Sequence, residues 1–271
     1  MPLNRREVFC YNVQLGAYSE LEILSRMVEK YKKPVHLTFN SLYYLPEQYP
    51  EITEIIKQCM ELGFRSYIIA DPALLVYLKK QGGFPVEIHL SGETGEVNSE
   101  MVKMFRRFPL KRIIFHRKNT FQDMQSVIAS QRAFEKQTGI RPEERMEFEA
   151  FVLNEMCQFT GAFCNSLHCD EMGYLCRVPY WLGTVQDGDV VPEKLQILQE
   201  RSWEQEPDPS AYDDTGYLCG ETGCGLCALY RMRQAGITHL KLVGRGNYVD
   251  HMEKDIRNLR TALDILEIGG K

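Results

Sequence analysis

Residues 66–91 read SYIIADPALLVYLKKQGGFPVEIHLS, and this stretch decides the fold class. SYIIAD is a β-rich run, and PALLVYLKKQGG is a helix with Pro72 in its first turn, where a missing backbone N–H costs least. VEIHLS is a second β-rich run. Strand, helix and strand in this order make a parallel β-α-β unit, because parallel neighbours need a crossover connection.

The same alternation extends in both directions. Towards the N-terminus lie YPEITEIIKQCMELGF, a helix ending near Gly63, and PVHLTFN, a strand. Before them comes YSELEILSRMVEKYKK, with Leu21, Leu24, Met27 and Val28 at helical spacing and a Ser19–Glu22 spacing suited to a capping region. EVFCYNV opens the chain as a short strand. Towards the C-terminus NSEMVKMFRRF is a helix, RIIFHR a strand, TFQDMQSVIASQRAFEKQTG a helix and MEFEAFV a strand. The chain then closes with CALYRMRQAG as a helix, THLKLVG as a strand and NYVDHMEKDIRNLRTALDILEIGG as a long helix.

Seven strands are thus expected, near 7–13, 34–39, 66–70, 86–90, 112–116, 146–152 and 239–243. A (β/α)8 barrel needs eight. An open doubly wound sheet would carry a glycine-rich first turn of the form G-x-G-x-x-G, and none opens a helix here, since GRGN at 244–247 lacks the pattern. The expected fold is therefore α/β: a (β/α)8 TIM-type barrel lacking its first β-α unit, with all of 1–271 in one domain. A cysteine-rich insertion at about 153–227 breaks the alternation, with QDGDVVPEKLQILQERSW as its one helix candidate.

A composition of 44% hydrophobic and 25% charged residues supports an ordinary globular core, and a net charge of -5 argues against a broad basic surface for nucleic acid. No apolar run approaches the ~20 residues of a membrane span. A cytoplasmic protein is expected, and there thiols stay reduced. Clustered cysteines then point to metal binding or catalysis rather than to disulfides.

Seven of the nine cysteines fall in CQFTGAFCNSLHCDEMGYLC (157–176) and CGETGCGLC (219–227). Thiolates are soft ligands that favour iron–sulfur clusters and zinc. Only Cys224 and Cys227 form a C-x2-C pair, so spacing leaves zinc and iron–sulfur both open. A cysteine nucleophile needs a base, and His168 beside Cys169 is adjacent in sequence only. Cys10 and Cys59 read as buried small apolar residues.

At MEFEAFVLNEMC (146–157) the chain resembles the U32 group, long labelled collagenase-like peptidases, whose strand has the form E-x-E-x-F-V-H-G-A-x-C with a second cysteine after six intervening residues. Glu147, Glu149, Phe151, Val152, Cys157 and Cys164 fall on that pattern. THLKLVGR, IADPALL, VHLTFNSL, VEIHLS and CRVPY resemble further motifs of the group in the same order. The chain departs at Leu153-Asn154, where the group has His-Gly, and at Val243, where it has Glu. The group also begins with a strand and helix that this chain lacks, so the insertion follows the seventh family strand.

The resemblance implies a [4Fe-4S] cluster, with Cys157, Cys164, Cys176 and Cys227 as ligands and Cys169, Cys219 and Cys224 as alternatives; zinc is the alternative metal. It implies oxygen-independent hydroxylation of an RNA base or a small aromatic metabolite. The rival readings are a metal- or cysteine-dependent peptidase, and a non-catalytic subunit whose open barrel a homo- or hetero-oligomeric partner closes.

In a barrel, polar residues at strand carboxyl ends surround the active-site mouth. By that rule Asn40, Asp71, His89, Ser91, His116 and Arg117 line it, with Lys241 and Arg245 opposite. His89, His116, Lys241 and Arg245 are the candidates for catalysis and substrate contact. Lys241 and Arg245 suit an anionic group, or pairing with Glu149 inside the barrel.

Overall fold

The computed structural model describes residues 18–153, 224–242 and 249–269, together with the backbone of four two-residue strands between 168 and 190. The helices are α1 (Tyr18–Tyr31), α2 (Gln48–Glu61), α3 (Pro72–Lys80), α4 (Ser99–Phe105), α5 (Phe121–Thr138), α6 (Leu229–Ala235) and α7 (Val249–Gly269). The main strands are β1 (Leu37–Phe39), β2 (Ser66–Ile69), β3 (Glu87–Leu90), β4 (Leu110–Ile114) and β5 (Glu147–Phe151). The short ones are β6 (His168–Cys169), β7 (Gly173–Tyr174), β8 (Val185–Gln186) and β9 (Asp189–Val190), and β10 (His239–Lys241) returns to the main sheet.

Six strands form one parallel sheet in the order β1-β2-β3-β4-β5-β10. Each new strand adds beside the one before it. A doubly wound sheet reverses direction at a switch point and places helices on both faces, whereas a singly wound order belongs to a barrel. Six of the seven expected strands are present, and the seventh, at 7–13, lies outside the described residues. The start of the helix candidate QDGDVVPEKLQILQERSW instead forms an antiparallel hairpin of β8 and β9. The sequence carries Asp187-Gly188 between them, a strong hairpin signal.

Local chemistry sets the helix ends. Asp71 caps α3, its carboxylate accepting the Ala73 N–H at 2.8 Å one residue before Pro72. Thr120 and Asp123 form a reciprocal capping box at the start of α5. α6 ends at Gly236 with φ 95°, a conformation that favours glycine, and a Cβ there would also lie 3.1 Å from Ile128.

One sheet face carries the core. Phe39, Tyr67, Ile69, Leu90, Ile113 and Phe148 pack there against Ile52 and Ile56 of α2, Leu74 and Leu78 of α3, Phe105 of α4, Val127 of α5 and Met232 of α6. Each fully buried large side chain contributes roughly 1.5–3 kcal/mol. Cys59 is part of this core, as its apolar setting in the sequence predicts, and burial pushes its thiol pKa up. Met27 departs from expectation: Leu21, Leu24 and Val28 touch the core, but Met27 is exposed. Among the described residues no helix is long and apolar enough to cross a membrane.

Candidate functional site

Side chains alternate across a strand, so the residues between the core positions face the other way. In-register partners run across the sheet from Thr38 to Ile68, His89, Arg112 and Glu147, and Glu149 is registered with His239. Ile68, Ile114 and Phe151 form a small apolar group separate from the main core. This second face, the interior of the barrel-like sheet, is otherwise polar.

The row depends on an irregularity. Between β3 and β4, Ile88 pairs with Leu110 but His89 pairs with Arg112, so Lys111 is an extra residue. A bulge of this kind re-aims the residues that follow it. Leu110 therefore joins the core while Arg112, at the same parity, joins the interior face.

Arg112 binds two carboxylates. Its Nε and one terminal nitrogen donate to Glu147 Oε2 at 2.9 and 2.7 Å, and its other terminal nitrogen donates to Glu149 Oε2 at 2.6 Å. Lys111 reaches Glu147 at 3.2 Å, Lys241 reaches Glu149 at 3.6 Å, and His239 lies 3.8 Å from Glu147. Burial raises the Glu147 carboxyl, but the hydrogen bonds from Arg112 and Lys111 outweigh it and the net shift is downward. Of the two roles the sequence allowed for Lys241, pairing with Glu149 is the one observed.

Beside this network two imidazoles flank a hydroxyl. His36 Nδ1 lies 2.6 Å from Ser66 Oγ, which lies 3.5 Å from His89 Nε2, and the two rings are 4.7 Å apart between centroids. Burial, reinforced by the Arg112 charge, lowers both pKa values, that of His89 to about 3. His89 is thus neutral at ordinary pH. Its Nδ1 is buried and, among the described residues, without a hydrogen-bond partner.

The carboxyl end of the sheet differs. Leu153, just past β5, has φ 60°, a left-handed conformation that costs roughly 1–2 kcal/mol in a residue with a Cβ. Its N–H donates to the Cys224 carbonyl at 2.8 Å, and the Val152 N–H donates to the Lys241 carbonyl at 3.0 Å. The chain therefore leaves the sheet at Leu153 and returns to the same point at Cys224. Gly92 sits against this end, where a Cβ would lie 3.0 Å from the Phe115 carbonyl and 3.1 Å from the Phe151 ring.

The expected mouth residues divide by role. Asp71 accepts from Tyr49 Oη at 2.9 Å besides capping α3, and Ser91 caps the turn at Gly92 through the Glu93 N–H. These two serve the backbone. Arg117 lies 4.4 Å above the Phe151 ring and 3.4 Å from Glu93. His116 is fully buried, and burial lowers its pKa to about 4. Its Nδ1 accepts the Lys118 N–H at 3.2 Å, so in the neutral ring Nε2 carries the proton, and Nε2 has no partner among the described residues. Asn40 Oδ1 is a third such buried polar atom among the described residues. His89 lies deeper than the mouth rule predicts, in register with Glu147, the first residue of β5.

Cys224 is half-buried and Cys227 exposed, and both are free thiols. Cys157, Cys164, Cys176, Cys219 and Arg245 lie outside the described residues, and Cys169 is described only through the β6–β7 backbone pairing. Among the described residues no three His, Cys, Asp or Glu side chains converge on one metal position.

The model of peptidase family U32 matches residues 10–270. The chain belongs to peptidase family U32. The solved structure of the U32 peptidase Mk0906 is similar to this U32 chain over 90% of its length and 83% of that chain, with 11% identity and a TM-score of 0.46. No curated protein matches it. Sequence reasoning from strand carboxyl ends missed His36, Ser66 and Arg112 of the U32 chain. Following Glu149 across the sheet with a period of two would have found them, but the bulge at Lys111 hides the parity of Arg112.

Proposed function

We propose that this U32 chain is an oxygen-independent hydroxylase of the iron–sulfur kind, acting on an RNA base or a small aromatic metabolite at the carboxyl end of its sheet. The observation that supports the reading is the Leu153–Cys224 hydrogen bond at 2.8 Å. It ties both ends of the cysteine-rich span to the end of β5, where barrel enzymes carry out their chemistry. Seven thiols on one such span are a donor set suited to a soft metal, and the exposed Cys227 thiol at its return is free to join it.

Cys157, Cys164, Cys176 and Cys227 are the proposed ligands of a [4Fe-4S] cluster, with Cys169, Cys219 and Cys224 as alternatives and zinc as the alternative metal. The cluster supplies electron-transfer chemistry when bound. The chain's own residues do the positioning. The neutral His116 presents an Nε2–H to an acceptor oxygen, and Arg117 is held over Phe151 beside it.

Anaerobic purification with iron and sulfide analysis tests the reading. About four of each per chain are expected for this cluster type. Colourless protein with stoichiometric zinc, or with no metal, overturns it. If such metal-free protein also releases peptides from denatured collagen, the hydrolytic reading replaces it.

A further inference from the structure

The interior face holds a second constellation, remote in sequence from the cysteines. Ser66, the first residue of β2, has a hydroxyl between His36 Nδ1 at 2.6 Å and His89 Nε2 at 3.5 Å. A hydroxyl has one proton to give, so when it donates to one ring it accepts from the other. His36 is half-buried, whereas His89 is fully buried and its Nδ1 ends the chain of contacts with no partner among the described residues. A buried polar atom left unsatisfied costs roughly 1–3 kcal/mol, and such atoms call for an explanation.

We propose that Ser66 couples the tautomers of His36 and His89 into a two-state proton relay running from the half-buried His36 to the interior nitrogen of His89. In the first state Ser66 donates to His36 Nδ1, His89 Nε2–H donates to Ser66, and His89 Nδ1 is a bare acceptor. A proton arriving at His89 Nδ1 sends the Nε2 proton to Ser66 Oγ and the Ser66 proton to His36 Nδ1, and His36 releases its Nε2 proton to solvent. One proton enters and one leaves, with no change of oxidation state. In the second state every donor and acceptor is reversed.

The 3.5 Å contact is long for a hydrogen bond and must shorten for transfer, as catalytic contacts commonly do once substrate is bound. The surroundings favour neutral rings. Arg112 from β4 and Lys241 from β10 oppose a charge on either ring, while Glu87 from β3, Glu147 and Glu149 from β5 temper them. The Glu87 carboxylate lies 3.9 Å from His89 Nε2. The relay gives His89 the means to take a proton from, or return one to, a neutral group inside the barrel. It stands whatever reaction the mouth performs, since it uses no cysteine.

The test is long-range proton–nitrogen NMR on protein labelled at histidine nitrogens, acidified until the His36 ring reports imidazolium. With Nδ1 protonated, His36 donates to Ser66, so Ser66 must donate to His89 Nε2, and His89 is expected to carry its proton on Nδ1. In Ser66→Ala, His89 is expected to hold its proton on Nε2, towards Glu87, while Ser66→Thr, which keeps the hydroxyl, retains the wild-type pattern. A wild-type His89 protonated on Nε2 beside a cationic His36 overturns the relay without recourse to any variant. So does an unchanged His89 tautomer in folded Ser66→Ala.

Discussion

His89 stands opposite Arg112 in the parallel register of β3 and β4, and it does so because Lys111 is an extra residue between them. Without that residue the guanidinium would face the helices, and the two carboxylates of β5 would face the interior without it. Arg112 is only 11% exposed and Glu149 9%. A buried pair of this kind is costly to break from one side, because the surviving charge keeps its desolvation penalty.

Arg112→Met is accordingly expected to destabilise the fold by about 3–5 kcal/mol. Denaturant unfolding measures it. Arg112→Met combined with Glu149→Gln should lose less than the sum of the single changes, since the second removes one of the charges that the first orphans. Strict additivity would show that the network contributes nothing as a unit.

Acid should weaken the fold through its histidines before its carboxylates. The pKa values of His89 and His116 are lowered to about 3 and about 4, so in acid the unfolded chain binds protons that the folded chain refuses. Stability is then complete above the ordinary imidazole value near 6.5 and falls as pH drops towards the folded values, by roughly 3 kcal/mol per group at pH 4. Glu147 acts in the same direction at lower pH, because its folded pKa is also depressed and its contribution is lost as pH falls through that value. Urea midpoints between neutral and acid pH check this, and His116→Gln should flatten the slope.

Gly92→Ala tests the packing at the carboxyl end. The added methyl meets a backbone carbonyl at 3.0 Å and the Phe151 ring at 3.1 Å, and the carbonyl cannot move aside. A loss of about 1–3 kcal/mol is expected. Phe151 should also tilt away from Arg117, visible as changed ring shifts in NMR. A variant as stable as wild type would mean that the loop relaxes freely.

The proposed metal site makes its own prediction. Cys157→Ala or Cys164→Ala should abolish bound iron and the associated visible absorption under anaerobic conditions. Cys59→Ala should keep both, because Cys59 is buried in the core on the other sheet face. Equal iron content in all three variants would sink the assignment.

The sequence by itself determined the order and type of the elements. Period-two and helical runs, the Pro72 start and the missing G-x-G-x-x-G turn depend on local sterics and hydrogen bonding, so they can be read along the chain. That is why the six strands and their singly wound order agree with expectation. The U32 motifs around Glu147, Glu149 and Phe151 were legible for the same reason, being contiguous. Tertiary structure alone decided which side chains meet. Ser66, His89 and Arg112 lie on three different strands and His36 just before a fourth, and their partnership follows from register, which one added residue at Lys111 is enough to shift. It also decided that Asp71 and Ser91 serve as caps, and that Leu153 and Cys224, far apart in the chain, share one hydrogen bond. Pairing across strands is set by the burial of a whole sheet face, which no local stretch of sequence records.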